Sequence, residues 1–133
     1  MSVVVGYVPD ATGLLAVQEG AEQARWRDTE LILVNVVGAA GYVVPTAADE
    51  RTLDAVSERL TAQGVRYSIR QAEESSDRPS EVILAVAEQS AAELIVIGVR
   101  RTSAVVKAVL GSTVQRVLAD ANCPVLCVRA AEE

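Results

Sequence analysis

Two glycines bracket a basic stretch of the chain. Gly98 follows the aliphatic run Leu94 to Ile97, Gly111 precedes Ser112 and Thr113, and Arg100, Arg101 and Lys107 lie between them. A glycine at a strand end and another at a helix start let an anion approach bare backbone. The N–H groups of Gly111, Ser112 and Thr113, at the positive end of a helix dipole, form an anion site to which the cations add charge. From Leu94 to Ala119 there is no acid and there are four cations, the fourth being Arg116, although the chain as a whole carries a net charge of −6. The expected chemistry is retention of a phosphate. The spacing matches neither G-x-x-x-x-G-K-[ST] nor G-x-G-x-x-G, so neither of those phosphate loops is expected. Residue pattern alone keeps a second reading open, in which Gly98 is a turn glycine, Gly111 and Ser112 merely start a helix, and the cations are solvated.

Catalytic constellations are scarce. The chain has no histidine, which removes the commonest general base and the commonest transition-metal ligand, and with them histidine triads and His-bearing zinc sites. Asp49, Glu50, Asp54 and Glu58 read as the solvated face of a helix rather than as an acid/base pair. Cys123 and Cys127 read as small core residues; with the second on a strand, their Cα atoms are about 13 Å apart, beyond disulfide reach. Trp26 is expected to pack at the end of the first helix, and Tyr42 to be a surface residue rather than a platform for a base. The acidic balance argues against a nucleic-acid partner, which would require a basic footprint. No apolar run approaches the ~20 residues of a membrane span and no secretory leader is legible, so a cytoplasmic protein is expected.

These residues need elements to hold them. The chain is half apolar, mostly Val, Ala, Leu and Ile with no Phe, and its 133 residues fit a single domain over residues 1–133 built from layers. Ser2 to Val8 and Glu30 to Val37 read as strands, separated by a helix carrying Leu14, Val17, Ala21 and Ala24 at helical spacing. After a loop from Gly38 to Ala48, a second helix presents Leu53, Val56 and Leu60 and stops at Gly64. Val65 to Arg70 alternates as an edge strand. Pro79 suits the first turn of a third helix, whose stripe Ile83, Val86 and Ala87 runs to about Ala92. Leu94 to Ile97 is a strand buried on both faces. Ser112 to Gln115 fits a capping box, followed by a helix burying Val114, Val117, Leu118 and Ala121. Pro124 to Val128 is the last strand. The order βαβαβαβαβ predicts an α/β fold, a single doubly wound domain with a five-stranded parallel sheet and helices on both faces. Ligands of such sheets sit beyond the carboxyl ends of the strands where the order reverses, here Val8 and Gly98.

The run IGVRRTSAVVKAVLGST, together with the first strand, LVNVV, ELIVIG, LGSTVQRVL and NCPVLCVR, resembles the universal stress proteins. The resemblance covers essentially the whole chain. ATP-binding members carry G-x2-G-x9-G-[S/T] between the fourth strand and the last helix. The resemblance implies a five-stranded doubly wound sheet, a homodimer formed largely through the last strand, Pro124 to Val128, and ATP or AMP at the carboxyl edge. Carried over by position, it gives Gly98, Gly111, Ser112 and Thr113 to phosphate and ribose, Val36 to adenine, and Val8 and Pro9 to the end of the first strand. Two departures stand out. Arg101 takes the place of the motif's middle glycine, where with Arg100 it either clamps a phosphate or blocks the pocket. Val8 stands where many members have an aspartate, which leaves Asp10 as the nearest acid and weakens the case for magnesium. The implied role is a nucleotide-binding stress protein without efficient catalysis. The alternatives are a dimeric interaction module of the same fold that binds no nucleotide, and a weak nucleotide hydrolase. A phosphoacceptor receiver is excluded, because Val8 and Gln71 do not supply its aspartates.

Overall fold

The computed structural model describes residues 1–8, 11–36, 47–71, 78–99 and 111–129. Its elements are β1 (Ser2–Tyr7), α1 (Ala11–Arg27), β2 (Glu30–Asn35), α2 (Ala47–Ala62), β3 (Tyr67–Gln71), α3 (Pro79–Gln89), β4 (Ala92–Val99), α4 (Ser112–Asp120) and β5 (Val125–Arg129). All strands are parallel, in the order β3-β2-β1-β4-β5. The chain therefore lays down β1 to β3 in one direction, then crosses back to place β4 and β5 on the other side of β1. Right-handed crossovers put α1 and α2 on one face and α3 and α4 on the other.

Two cores follow from the two-residue period of the strands. Val3, Val5 and Tyr7 of β1, Leu31 and Leu33 of β2, and Leu94 and Val96 of β4 pack under α1 and α2. Their neighbours Val4, Ile32, Val34, Ile95 and Ile97 pack under α3 and α4 with Ile83, Val86, Val114 and Val117. β1 is buried along its whole length, as a central parallel strand must be. β3 is an edge strand with a wetter surface, as its alternation predicts. β5 is the other edge.

Several boundaries and side chains differ from the sequence expectation. β4 runs on to Val99, so Gly98 lies inside the strand and not after it. β1 and β2 each stop short, at Tyr7 and Asn35, and β3 starts at Tyr67 rather than Val65. α3 does begin at Pro79, but ends at Gln89. α2 ends as expected, with Gly64 at φ 73° and the Val65 N–H donating to the Leu60 carbonyl (3.1 Å). On α1, Leu14 is 36% exposed while Thr12, Gly13, Ala16 and Gly20 are buried with Val17, Ala21 and Ala24. The helix turns its small residues to the sheet. Trp26 is 71% exposed and not packed. Leu118 is 44% exposed, one 100° step from the buried Val117. Both cysteines are free, but Cys127 is exposed and only Cys123 packs partly against the core. Among the described residues, no helix is long and apolar enough to cross a membrane.

Candidate functional site

The strand order reverses between β1 and β4, and a cleft of about 520 Å3 opens at their carboxyl ends, the switch-point position of doubly wound sheets. Val8, Val36, Gly98, Gly111, Ser112 and Thr113, six residues singled out from sequence, all line it. Pro9, Arg100 and Arg101 lie outside the described residues, as do Asp10, Tyr42 and Lys107.

Two helix starts frame the cleft. α1 begins just past Val8, and its first turn rests on the strand ends. A Cβ on Gly98 would sit 2.6 Å from the Thr12 carbonyl oxygen, and one on Gly13 would sit 1.8 Å from the Val8 carbonyl oxygen. Gly98 is thus a glycine because α1 lies against it. Its backbone borders the cleft, while its missing side chain makes room for the helix on the opposite face. Gly111 is the reverse case, since a Cβ there would meet nothing within 4 Å. Packing among the described residues gives no reason for this glycine, and the open space in front of it belongs to the cleft.

α4 does not start with the expected capping box. Gly111, at φ −61° and ψ 160°, is itself the N-cap, its carbonyl accepts from the Gln115 N–H (3.0 Å), and no side chain caps the helix. The box fails because Ser112 is already the first helical residue, one place too late to reach back over the turn. As a result, the N–H groups of Ser112, Thr113 and Val114 have no intrahelical acceptor, and they stand at the cleft. α4 also has no acid in its first turn, as α1 has none, whereas α2 carries Asp49 and Glu50 and α3 carries Glu81. The positive ends of the two helices at the switch point are therefore not neutralised from within.

The rest of the lining is apolar. Val8 is half-buried and Val36 fully buried, and Pro79, Ile83, Ile97 and Val99 close the α3 side. The Val36 N–H donates to the Tyr7 carbonyl (3.3 Å), so the group it offers a ligand is its own carbonyl. None of the described lining residues is charged, and the described residues hold no cluster of three or more metal-ligating side chains. A slot with one strongly anion-accepting end and apolar walls suits a small molecule carrying a phosphate and a flat hydrophobic ring. Thr12 and Pro79 are lining residues that the sequence reading did not single out. The signal for Thr12 was present in a strand ending directly before a helix start.

Fold and cleft together define a doubly wound α/β domain with a cleft at its switch point. The universal stress protein family model matches residues 1–129, and the chain belongs to that family. A universal stress protein from Mycolicibacterium smegmatis is 38% identical over 127 residues, which is 96% of each chain. A universal stress protein structure from Archaeoglobus fulgidus superposes with a TM-score of 0.77 at 25% identity, over 96% of this chain and 97% of that one. A universal stress protein in complex with cAMP gives 0.72 at 23% identity, covering 98% of both chains. The universal stress protein from Archaeoglobus fulgidus in complex with dAMP gives 0.71 at 23%, covering 96% of both.

Proposed function

We propose that this chain is a single-domain universal stress protein that binds an adenine nucleotide, AMP or ATP, in the cleft between β1 and β4, without efficient catalysis. The observation that carries the reading is the start of α4. Three N–H groups and an unneutralised helix dipole face the cleft beside a glycine whose missing side chain leaves open space. In this reading the phosphate lies on Gly111, Ser112 and Thr113, the ribose passes Val8, Pro9 and Gly98, and the adenine meets the Val36 carbonyl. Arg100 and Arg101 supply charge from the segment before α4. Bound cAMP and dAMP in two proteins of similar fold support the choice of an adenosine monophosphate unit. None of the described lining residues is a carboxylate, and magnesium is not part of the proposal. Assembly into a homodimer through β5 is part of the same proposal, supported by its edge position and by the exposed Cys127 on it.

Calorimetric titration tests the reading. AMP is expected to bind with a dissociation constant no weaker than millimolar, unchanged by EDTA, and silence up to that concentration would remove the reading. Arg101→Ala separates the two roles of that side chain. ATP binding weakened more than adenosine binding marks a clamp, and tighter ATP binding marks an obstruction. The specific observation favouring the second reading, an interaction module without nucleotide, is the apolar Val8 at the cleft, and the same titration decides between the two.

A further inference from the structure

We propose that the groove between α1 and α2 is a second binding site, for an amphipathic anion of the long-chain aliphatic carboxylate class. α3 and α4 pack against one another on their face of the sheet, whereas α1 and α2 scarcely meet. The gap between them is about 460 Å3, within the usual range of small-molecule sites. Its floor is Val17, Ala21, Val56 and Leu60, all buried, and one wall is the half-exposed Leu14. Nothing on that floor is polar.

The lip of the groove is cationic. Arg51 and Arg59 line it from α2, eight residues and so about 12 Å apart along the helix. Arg27, Arg66 and Arg116 are paired with Glu93, Asp28 and Asp120. Neither Arg51 nor Arg59 has a side-chain hydrogen bond or ion pair among the described residues. The acids of α2 do not serve them. At 100° per residue Asp54 and Glu58 flank Arg51 on the helix, but neither pairs with it among the described residues and neither lines the groove, which Arg51, Ala55 and Arg59 border. Arg59 also borders the adjoining cleft towards Val128 together with Glu19, Glu22 and Arg25, without an ion pair to either acid among the described residues.

An apolar trough with two unpaired guanidinium groups on one lip complements a molecule with an alkyl chain and a single planar anionic head, which arginine takes as a bidentate partner. A partner helix fits less well. A helix about 10 Å across fills roughly 420 Å3 per turn, so the groove accepts about one turn, short of the spread of anchors by which helices dock.

The test is calorimetric titration of the whole chain with dodecanoate and decanoate, below their micelle concentrations. Saturable one-to-one binding is expected. Each buried methylene contributes about four-fold in affinity, so decanoate, two methylenes shorter, is expected to bind about fifteen-fold more weakly. The double variant Arg51→Ala, Arg59→Ala is expected to lose ten-fold or more for dodecanoate. Ala55→Trp, at the exposed mouth, is expected to abolish binding with an unchanged circular dichroism spectrum. No saturable binding, equal affinity for the two chain lengths, or equal affinity in both variants would overturn the proposal. So would displacement of dodecanoate by AMP, which would assign the probe to the other cleft.

Discussion

On one face of the sheet α3 and α4 lean on each other and seal Ile83, Val86, Val114 and Val117 over Ile32 and Ile95. On the other face α1 lies close to the sheet while α2 stands off, leaving a groove beside Val56 and Leu60. The difference comes from side-chain size. α1 turns Gly13, Ala16, Gly20 and Ala24 inward, so its backbone comes down onto β1 and β4 until Thr12 touches Gly98 and Gly13 touches Val8. This close seating holds the ends of β1 and β4 in place and so preforms the cleft. The same face does not close over α2, which contributes mainly Val56 and Leu60 to the core.

Six substitutions probe this contrast. Gly13→Ala is expected to have the largest effect. In an ordinary helix interior the change stabilises by about 1 kcal/mol, but here the new Cβ falls 1.8 Å from the Val8 carbonyl oxygen. A loss of about 4 kcal/mol in urea unfolding is expected, above the usual cost of overpacking because backbone must move. A gain in stability would show that α1 is not seated as described. Next, truncation should cost more on the sealed face. Ile83→Ala is expected to lose about 4 kcal/mol and Leu60→Ala about 2, since Leu60 already borders a groove. Equal losses would mean that the two faces are equally closed.

Enlargement gives the complementary result. Ala87→Leu, inside the α3 core, is expected to lower stability by about 2 kcal/mol, whereas Ala55→Leu at the groove is expected to be neutral or to gain up to about 1. Thermal melts of the two variants read the sign directly. The smallest effect belongs to the surface of α4. Arg116 and Asp120 are joined at 2.6 Å with both side chains about half exposed, and the acid sits at the unfavourable end of the helix dipole. Asp120→Ala is expected to change stability by less than about 0.5 kcal/mol.

What the sequence revealed depended on how many neighbours decide each feature. Runs such as Val3 to Val5, Leu31 to Val34 and Leu94 to Ile97 announce buried parallel strands, because burial on both faces leaves no room for polar alternation. Parallel pairing and a doubly wound sheet followed from the alternation with helices, and the ligand position was expected at the ends of the first and fourth strands. The position of the cleft was therefore legible before any coordinate was known. Features set by interhelical contact were not. Leu14 and Leu118 belong to helical stripes by spacing, yet each falls beside its helix's seat rather than under it. Trp26 lies 180° round α1 from the buried Val17, so its exposure follows from the helical period rather than from a packed helix end. Gly98 suggested room for a ligand, whereas its reason is the carbonyl of Thr12, ten positions beyond the start of β1 and distant from Gly98 in sequence. At α4 the pattern Ser112 to Gln115 predicted a side-chain cap, but the helix starts one residue earlier and leaves its N–H groups open to the cleft. That misreading strengthens the phosphate site, since a capped helix would have spent one of the donors a ligand needs.

The most direct test of the account is a two-dimensional 15N–1H spectrum of the labelled protein titrated with AMP. The account predicts saturable shifts at the backbone amides of Ser112, Thr113 and Val114 and at Val36 and Gly98, with the amides of Val56 and Arg59 unmoved. Saturation without movement at Ser112 to Val114, or no shift up to millimolar AMP, would contradict it.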